Sequence, residues 1–392
     1  MMKRHNFPSA SSKNVILALN AESVFAIHWI IGYLKKNINV LVISPYDLKK
    51  NPFLNDLREE FPKSASIQLF QITSKYGYFS KLIILRYLKA FIYFYSMKRK
   101  YREIIFHTHY LGHFALLGLI LRPKKLIVTL YGSDVYSISG IRKFISKLLL
   151  RRADLVHPQS KFMVDHLVNE YKIPKSKMIT FHTGVNLKRW KKPSDSILNS
   201  FKENMDIPQN SIVFLSYRRF TPIYQIHLLP LIHFKLLQQN IPAYFIYLMG
   251  SSRTRYHEKF EELIIRKKLS RHSKLINYVL ETEDLVKLVF ISDYFFSIPK
   301  WDQVAATVQE GMYCECIPIL SDLKVYKEVV NEKRAIFVST KSPHRMAKII
   351  GKSVLVDMHL NEKIKKINKN IIINNYNMEE NLSKLIDSIF AL

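Results

Sequence analysis

Short β-branched runs alternate with longer segments of helical period along most of the chain. In the first half, "NVILALN" (14–20) predicts a strand and "SVFAIHWIIGYLKK" (23–36) a helix. Strands at 39–45 and 66–72, a helix at 81–102, a strand "EIIFHTH" (103–109) and a helix at 110–122 follow. Then come a strand at 125–132, a helix at 141–153, a strand at 155–160, a helix at 161–172 and a strand "MITFHTG" (178–184). Between 187 and 210 the pattern lapses into a polar stretch punctuated by Pro193 and Pro208, which reads as a linker. Alternation resumes with strands at 211–217, 243–250, 274–279, 294–300 and 334–339, separated by helices at 226–239, 256–269 and 282–292. A helix at 377–390 closes the chain. Strands separated by helices of about a dozen residues predict βαβ units and parallel sheets, here in two α/β domains in series.

Composition narrows the class without changing the fold. The 392 residues are 48% hydrophobic and 23% charged, a globular balance with room for two domains. Sixty Lys+Arg against 31 Asp+Glu give a net charge of +29, which implies a polyanionic neighbour: nucleic acid, an anionic membrane face or a phosphorylated ligand. The only cysteines, Cys314 and Cys316, offer no disulfide framework and point to a reducing, cytosolic setting. The basic N-terminus has too short an apolar run for a signal peptide, and 82–102, the nearest approach to a membrane span, is broken by Arg86 and Lys89.

Several candidate motifs fail. Ten glycines occur, none in a G-x-G-x-x-G pattern, and Gly351–Lys352–Ser353 lacks the first glycine and the strand of a P-loop. His107, His109 and His113 sit at metal-ligand spacing, but no acid or thiol completes the set, so no metal site is expected; a histidine at a strand end can still serve a cleft. No recognition helix, aromatic RNA-binding signature or zinc module accompanies the charge, so no nucleic-acid partner is expected.

The segment "PKWDQVAATVQEGMYCECIPILSD" (299–322) holds the remaining chemistry. A strand ends before it, and a helix begins near Ala305 with small residues, Ala305, Ala306 and Thr307. Unpaired N–H groups at such a helix start suit a phosphate. Asp302 in the loop and Glu310 inside the helix place two carboxylates around it, a spacing suited to a phosphate flanked by hydroxylated rings. The plainer alternative is that Asp302 caps the helix and Glu310 is a surface acid.

Here the chain resembles the GT-B glycosyltransferases of the retaining family 4 type, whose signature places an acid, seven residues and then a Glu opening "E-A-M-A-x-G-x-P". Asp302, seven residues and "EGMYCECIPILSD" match it, followed by Glu328 in "VYKEVV". "LIVTLYGSDVY", "RRADLVHPQS", "MITFHTGVNLKRW" and "SYRRFTPIYQIHLL" match further family segments in order, so the resemblance runs over residues 14–390. It implies an α/β chain of GT-B architecture, two Rossmann-like parallel-sheet domains facing across a cleft. Residues 1–190 would form the acceptor-binding domain, 191–374 the nucleotide-sugar donor domain, and 375–392 a helix crossing back to the first. It also implies a retaining, metal-independent hexosyltransferase with no cofactor, using a UDP- or GDP-sugar. The acceptor would be a glycan or lipid-linked glycan, as in surface polysaccharide biosynthesis, and the setting cytoplasmic or peripheral on an anionic inner membrane face.

By the same resemblance Glu310 holds the ribose hydroxyls, Asp302 contacts the transferred sugar and Arg218 neutralises the diphosphate. The backbone of Ala305, Ala306, Thr307 and Val308 meets the phosphates, with Ser23, Gly132 and Asp134 on the acceptor side. The chain departs from the family at several points. Asp302 is one methylene shorter than the usual Glu; Tyr131 replaces a histidine, with His109 on the neighbouring strand end as its substitute. No lysine follows the arginine: Gln225 or Tyr224 stands near its place, and Arg219 is the candidate for a second charge. These departures support an alternative, a non-catalytic GT-B protein binding sugar or lipid. The cationic, aromatic segment 81–104 reads either as a membrane-facing amphipathic helix or as a core-facing helix with a basic end.

Overall fold

The computed structural model describes residues 13–44, 46–51, 53–61, 67–71, 88, 91–92, 94–95, 104–355 and 358–391. The chain divides into two compact units, Met1–Phe181 with Glu379–Leu392, and His182–Met378.

In the first unit, β1 (Asn14–Ala18), β2 (Asn39–Ser44), β3 (Ile67–Gln71), β4 (Ile104–His109), β5 (Lys125–Thr129) and β6 (Leu155–His157) form one parallel sheet in the order β3-β2-β1-β4-β5-β6. Both faces of β1, β2 and β4 are covered, which is why they read as continuous apolar runs and not as alternations. Between the strands run α1 (Val24–Lys35), α2 (Leu54–Glu60), α3 (His113–Leu121), α4 (Ser133–Tyr136) and α5 (Gly140–Arg152), and α6 (Lys161–His166) follows β6. The Ser23 side chain caps α1 by accepting from Phe25 N.

The second unit repeats the design. Here β7 (Ile212–Ser216), β8 (Ala243–Leu248), β9 (Ser273–Ile276), β10 (Tyr294–Ser297), β11 (Ile317–Ser321) and β12 (Ile336–Val338) are ordered β12-β11-β10-β7-β8-β9, again all parallel. Its helices are α7 (Asp195–Asn204), α8 (Leu229–Leu237), α9 (Arg255–Arg266), α10 (Thr282–Phe290), α11 (Ala306–Tyr313), α12 (Pro343–Val354) and α13 (Met358–Asn375). Alternate residues of β7 enter different cores: Val213 and Leu215 join one cluster, Phe214 the other. The last helix, α14 (Met378–Ala391), packs on α1 of the first unit, with Ile386 against Gly32 and Lys36 paired to Asp387 at 2.8 Å. Two doubly wound sheets of this kind constitute the GT-B fold.

The pattern misses α2, α12 and α13 altogether, and elsewhere it fails in kind. The polar stretch 187–210 is not simple linker: 195–204 fold into α7, started by Ser194, whose side chain accepts from Ile197 N, and by Asp195 in the first turn. "MITFHTG" forms no strand; Met178 bridges Val156 and Val185 bridges Asn377, while Gly184 at φ +88° breaks the extended run between them. A side chain at Gly184 would also strike the Tyr376 carbonyl. The helix predicted over 161–172 stays α-helical only to His166 and continues as a π turn to Tyr171, whose hydroxyl donates to Val135 O. Most of 81–104 lies outside the described residues, although Leu88, Phe91, Ile92, Phe94 and Tyr95 are helical and Phe94 is buried against Phe106. No helix among the described residues is long and apolar enough to cross a membrane.

Candidate functional site

In a doubly wound sheet, ligands are held beyond the carboxyl ends of the strands, where the strand order reverses. The second unit reverses between β7 and β10, and the candidate residues converge there. β7 runs directly into Tyr217 and Arg218, β10 into the loop carrying Asp302.

Arg218 is 7% exposed. Its Nη2 donates to Asp302 Oδ2 at 2.8 Å, its Nη1 to Thr307 Oγ1 at 2.8 Å, and its guanidinium lies over the Tyr224 ring, 4.3 Å from the centroid. Burial is the largest influence and opposes its charge, but Asp302, Tyr326 and Tyr224 together outweigh it and hold the guanidinium above its ordinary value, so it stays a cation. Asp302 Oδ2 also accepts from Tyr326 OH at 2.7 Å, and Oδ1 accepts from Gln303 N at 2.9 Å.

α11 begins beside this pair. Its N-cap, Ala305, supplies no side-chain acceptor. The N–H groups of Ala306 and Thr307 therefore have no helical partner, and the positive end of the helix dipole is open. Val308 differs from expectation, because its N–H already bonds to Ala305 O at 3.0 Å. The Thr307 carbonyl accepts from Tyr217 OH, which fixes this first turn to the end of β7.

Glu310 follows one turn along α11. Burial pushes its carboxyl up to about 7, against the pull of Arg189, Arg218 and a hydrogen bond from Trp190. Gly311 is required next to it: a Cβ there would lie 2.4 Å from the Phe295 ring of β10, so glycine lets the helix sit flush on the strand. Cys314 and Cys316 are free and buried, as small apolar residues would be.

Two other predicted residues stand apart. Arg219 is exposed and does not join Arg218. Gln225, in the left-handed region at φ +52°, turns inward and donates from Nε2 to Ile298 O at 2.9 Å, tying the loop after β7 to the end of β10. Its side chain is thus a strut. Tyr326 and Ser297 also belong to this centre, hydrogen-bonded to each other at 2.9 Å, and sequence reasoning missed both.

The first unit reverses order between β1 and β4, and its candidates lie at that point. His109, 6% exposed, bonds through Nδ1 to Tyr131 OH at 2.9 Å and packs edge-on to Trp29 with centroids 4.7 Å apart. Burial drives its pKa down to about 3, and nearby His157 adds to the effect, so the ring is neutral. His107 bridges Tyr33 OH and Thr129 Oγ1 at 2.8 and 2.7 Å. Asp134 accepts from Tyr131 N and Gly132 N on Oδ1 and from Leu111 N on Oδ2. Burial raises its pKa to about 6 while those N–H groups pull it down. Asp134 therefore staples the loops after β4 and β5 together, and Gly132 permits that turn with φ +104°. Ser23 serves as the α1 cap. Among the described residues no group of three or more His, Cys, Asp or Glu side chains is placed to hold a metal ion.

The chain matches known families and folds. Residues 199–378 match the family model described as glycosyl transferases group 1, and residues 25–189 match that of glycosyltransferase family 4. A glycosyltransferase from Rickettsia africae ESF-5 is similar in structure, with TM-score 0.76 and 22% identity over 97% of this chain and 98% of that one. Anabaena HepE in complex with UDP-glucose matches with TM-score 0.76 and 15% identity, over 97% and 100% of the two chains. Sucrose-phosphate synthase from Thermosynechococcus elongatus matches with TM-score 0.75 and 16% identity, over 97% and 99%. A comparison with curated protein sequences gave no match.

Proposed function

This chain belongs to the group 1, family 4 glycosyltransferases, and on that premise we propose that the β7/β10 site binds a nucleoside diphosphate sugar and transfers its sugar with retention. The observation that carries the reading is the Arg218 guanidinium fixed beside the open first turn of α11, with the Glu310 carboxyl one turn away. In this reading the diphosphate meets Arg218 and the N–H groups of Ala306 and Thr307, and the Glu310 carboxylate accepts from two ribose hydroxyls. As the bond from the sugar C1 to the phosphate oxygen breaks, charge develops on that oxygen where the cation and the helix dipole already point. The acceptor oxygen forms the new bond to C1 on the same face, and its proton passes to the leaving diphosphate. Guanidinium and helix start supply the positive charge for this step, so no divalent ion is assigned. UDP is the nucleotide favoured, because HepE, with the same fold, is seen with UDP and UDP-glucose.

The acceptor in this reading is a glycan or lipid-linked glycan presented at an anionic membrane face. Support comes from α5, on which Ile141, Phe144 and Leu148 are 76%, 61% and 43% exposed along one stripe. Arg142, Lys143, Lys147, Arg151 and Arg152 lie on the same helix, which has no acid. A non-catalytic sugar-binding role is the second reading, favoured by the neutral, enclosed His109 and the engaged Asp134 of the first unit.

Thermal shift with UDP, GDP and their common sugars tests the first reading, since a ligand of the native state raises Tm by mass action. A rise that disappears in Arg218→Ala and Glu310→Ala is expected; equal shifts in wild type and both variants contradict it. Turnover of the bound sugar nucleotide separates the enzyme from the non-catalytic protein.

A further inference from the structure

The family signature assigns its first acid to the transferred sugar, but the surroundings of Asp302 are those of a different part. A carboxylate offers about four acceptor sites. Three of them on Asp302 are taken: Oδ2 by Arg218 Nη2 at 2.8 Å and by Tyr326 OH at 2.7 Å, and Oδ1 by Gln303 N at 2.9 Å. The Asp302 side chain is 14% exposed, so little of it is presented outward. Tyr326 is fully buried in the turn after β11, and its hydroxyl is anchored a second time by Ser297 Oγ at 2.9 Å, on β10. The chain of contacts thus runs from the middle of the sheet through Ser297 and Tyr326 to Asp302 and then Arg218. Thr307 and Tyr224 hold the other edge and the face of the same guanidinium.

We propose that Asp302 is a positioning residue for Arg218, that Tyr326 positions Asp302 in turn, and that this carboxylate acts on the donor diphosphate and not on the transferred sugar. The proposal rests on the nucleotide-sugar reading above. It also gives the shorter acid a reason. A glutamate at position 302, extended by one methylene, would push the guanidinium off Thr307 and Tyr224, whereas aspartate reaches it at 2.8 Å with those contacts intact. Asp302 brings a negative charge close to a diphosphate site and weakens the field there. What it provides is orientation: a guanidinium held at each Nη by a different partner and stacked on a ring loses little freedom when the ligand arrives.

The test is calorimetric titration of the full chain with UMP and with UDP, or with GMP and GDP if guanine is the base bound by wild type. Tyr326→Phe removes one hydroxyl and leaves shape and charge alone. If Asp302 works through Arg218, Kd for the diphosphate rises about fivefold to tenfold, while Kd for the monophosphate stays within about twofold. Asp302→Glu shows the same diphosphate-selective loss. Ser297→Ala, the milder change should Tyr326→Phe fold poorly, shifts diphosphate affinity in the same direction and by less. Diphosphate affinity unchanged in Tyr326→Phe and Asp302→Glu overturns the proposal, because an acid that grips only sugar is silent toward a ligand without one. Parallel losses for both nucleotides overturn it too, since a general loosening of the fold does not distinguish them. A wild-type chain that binds neither diphosphate defeats the nucleotide reading itself, before any substitution is made.

Discussion

The two units place their candidate residues at the same topological position, the reversal of strand order, yet fill it with opposite chemistry. At β1/β4 the imidazoles and rings are neutral and closed in, His109 on Tyr131, His107 between Tyr33 and Thr129, Trp29 against the imidazoles, and the one acid, Asp134, is spent on backbone N–H groups. At β7/β10 a buried cation, two acids and an uncapped helix start come together. Fold supplies the place; side chains decide what is done there. Burial has opposite consequences at the two points. It silences the histidines by keeping them unprotonated, but it tunes Glu310 to about 7, while Arg218 keeps its charge against burial through its neighbours.

The largest expected break in this contrast comes from Arg218→Ala. Transfer should fall by about 10²–10³-fold, as for loss of one group aimed at developing charge. Arg218→Lys keeps the charge but loses the fork, and steady-state kinetics should place it between the two. His109→Phe, the matching change in the other unit, should lower the rate by less than about tenfold and act mainly on stability, by about 1–3 kcal/mol, through the Tyr131 hydroxyl left behind. Equal losses of rate in the two variants would erase the distinction drawn here.

Glu310 sharpens the contrast through pH. Its carboxyl titrates near 7 in the folded chain against an ordinary value of 4.5. Folding therefore takes up a proton between those values, and this group's contribution to stability falls as pH rises from 4.5 through 7. Two results follow. UDP affinity in wild type should decline as pH drops below about 7, because the ribose hydroxyls need an ionised acceptor. Glu310→Gln should flatten that profile and weaken UDP about tenfold at pH 8, yet raise Tm there, with the Tm gain shrinking toward pH 5. A variant that binds weakly and melts earlier would show that the burial penalty is misassigned. His109, neutral throughout, should contribute no limb between pH 5 and 8, readable by imidazole NMR.

The smallest effect concerns α5. Phe144→Glu should reduce sedimentation with anionic vesicles several-fold while leaving UDP affinity within twofold, since Phe144 is 61% exposed and lies in the other unit. Vesicle binding that is unchanged would remove the support this helix gives to a membrane-presented acceptor.

Much of this was legible in the chain itself. Apolar runs bounded by polar turns gave the strands, and their alternation with helices gave parallel sheets. Asp302 and Glu310 stood out as a spaced pair of acids, but their roles, and Arg218 altogether, came from the resemblance to the glycosyltransferase family. Contacts decided by long-range packing were not legible. Tyr326 reaches Asp302 across 24 residues, and nothing local distinguishes it from other buried tyrosines. Gln225 looked like a ligand because it stands near a lysine position, but its left-handed backbone turns the amide onto Ile298. α7 was hidden by its polar composition although Ser194 and Asp195 announce a helix start. α12 and α13 add to the pattern reading: in α12, Met346, Ala347, Ile350 and Val354 are buried, a helical stripe diluted by lysines.

The central claim is tested most directly by a crystal structure of the chain with UDP. The account predicts diphosphate oxygens within about 3 Å of the Arg218 guanidinium and of the Ala306 or Thr307 N–H groups, with the ribose hydroxyls on Glu310. A UDP bound elsewhere, or seated at β7/β10 with its diphosphate turned away from Arg218, would contradict it.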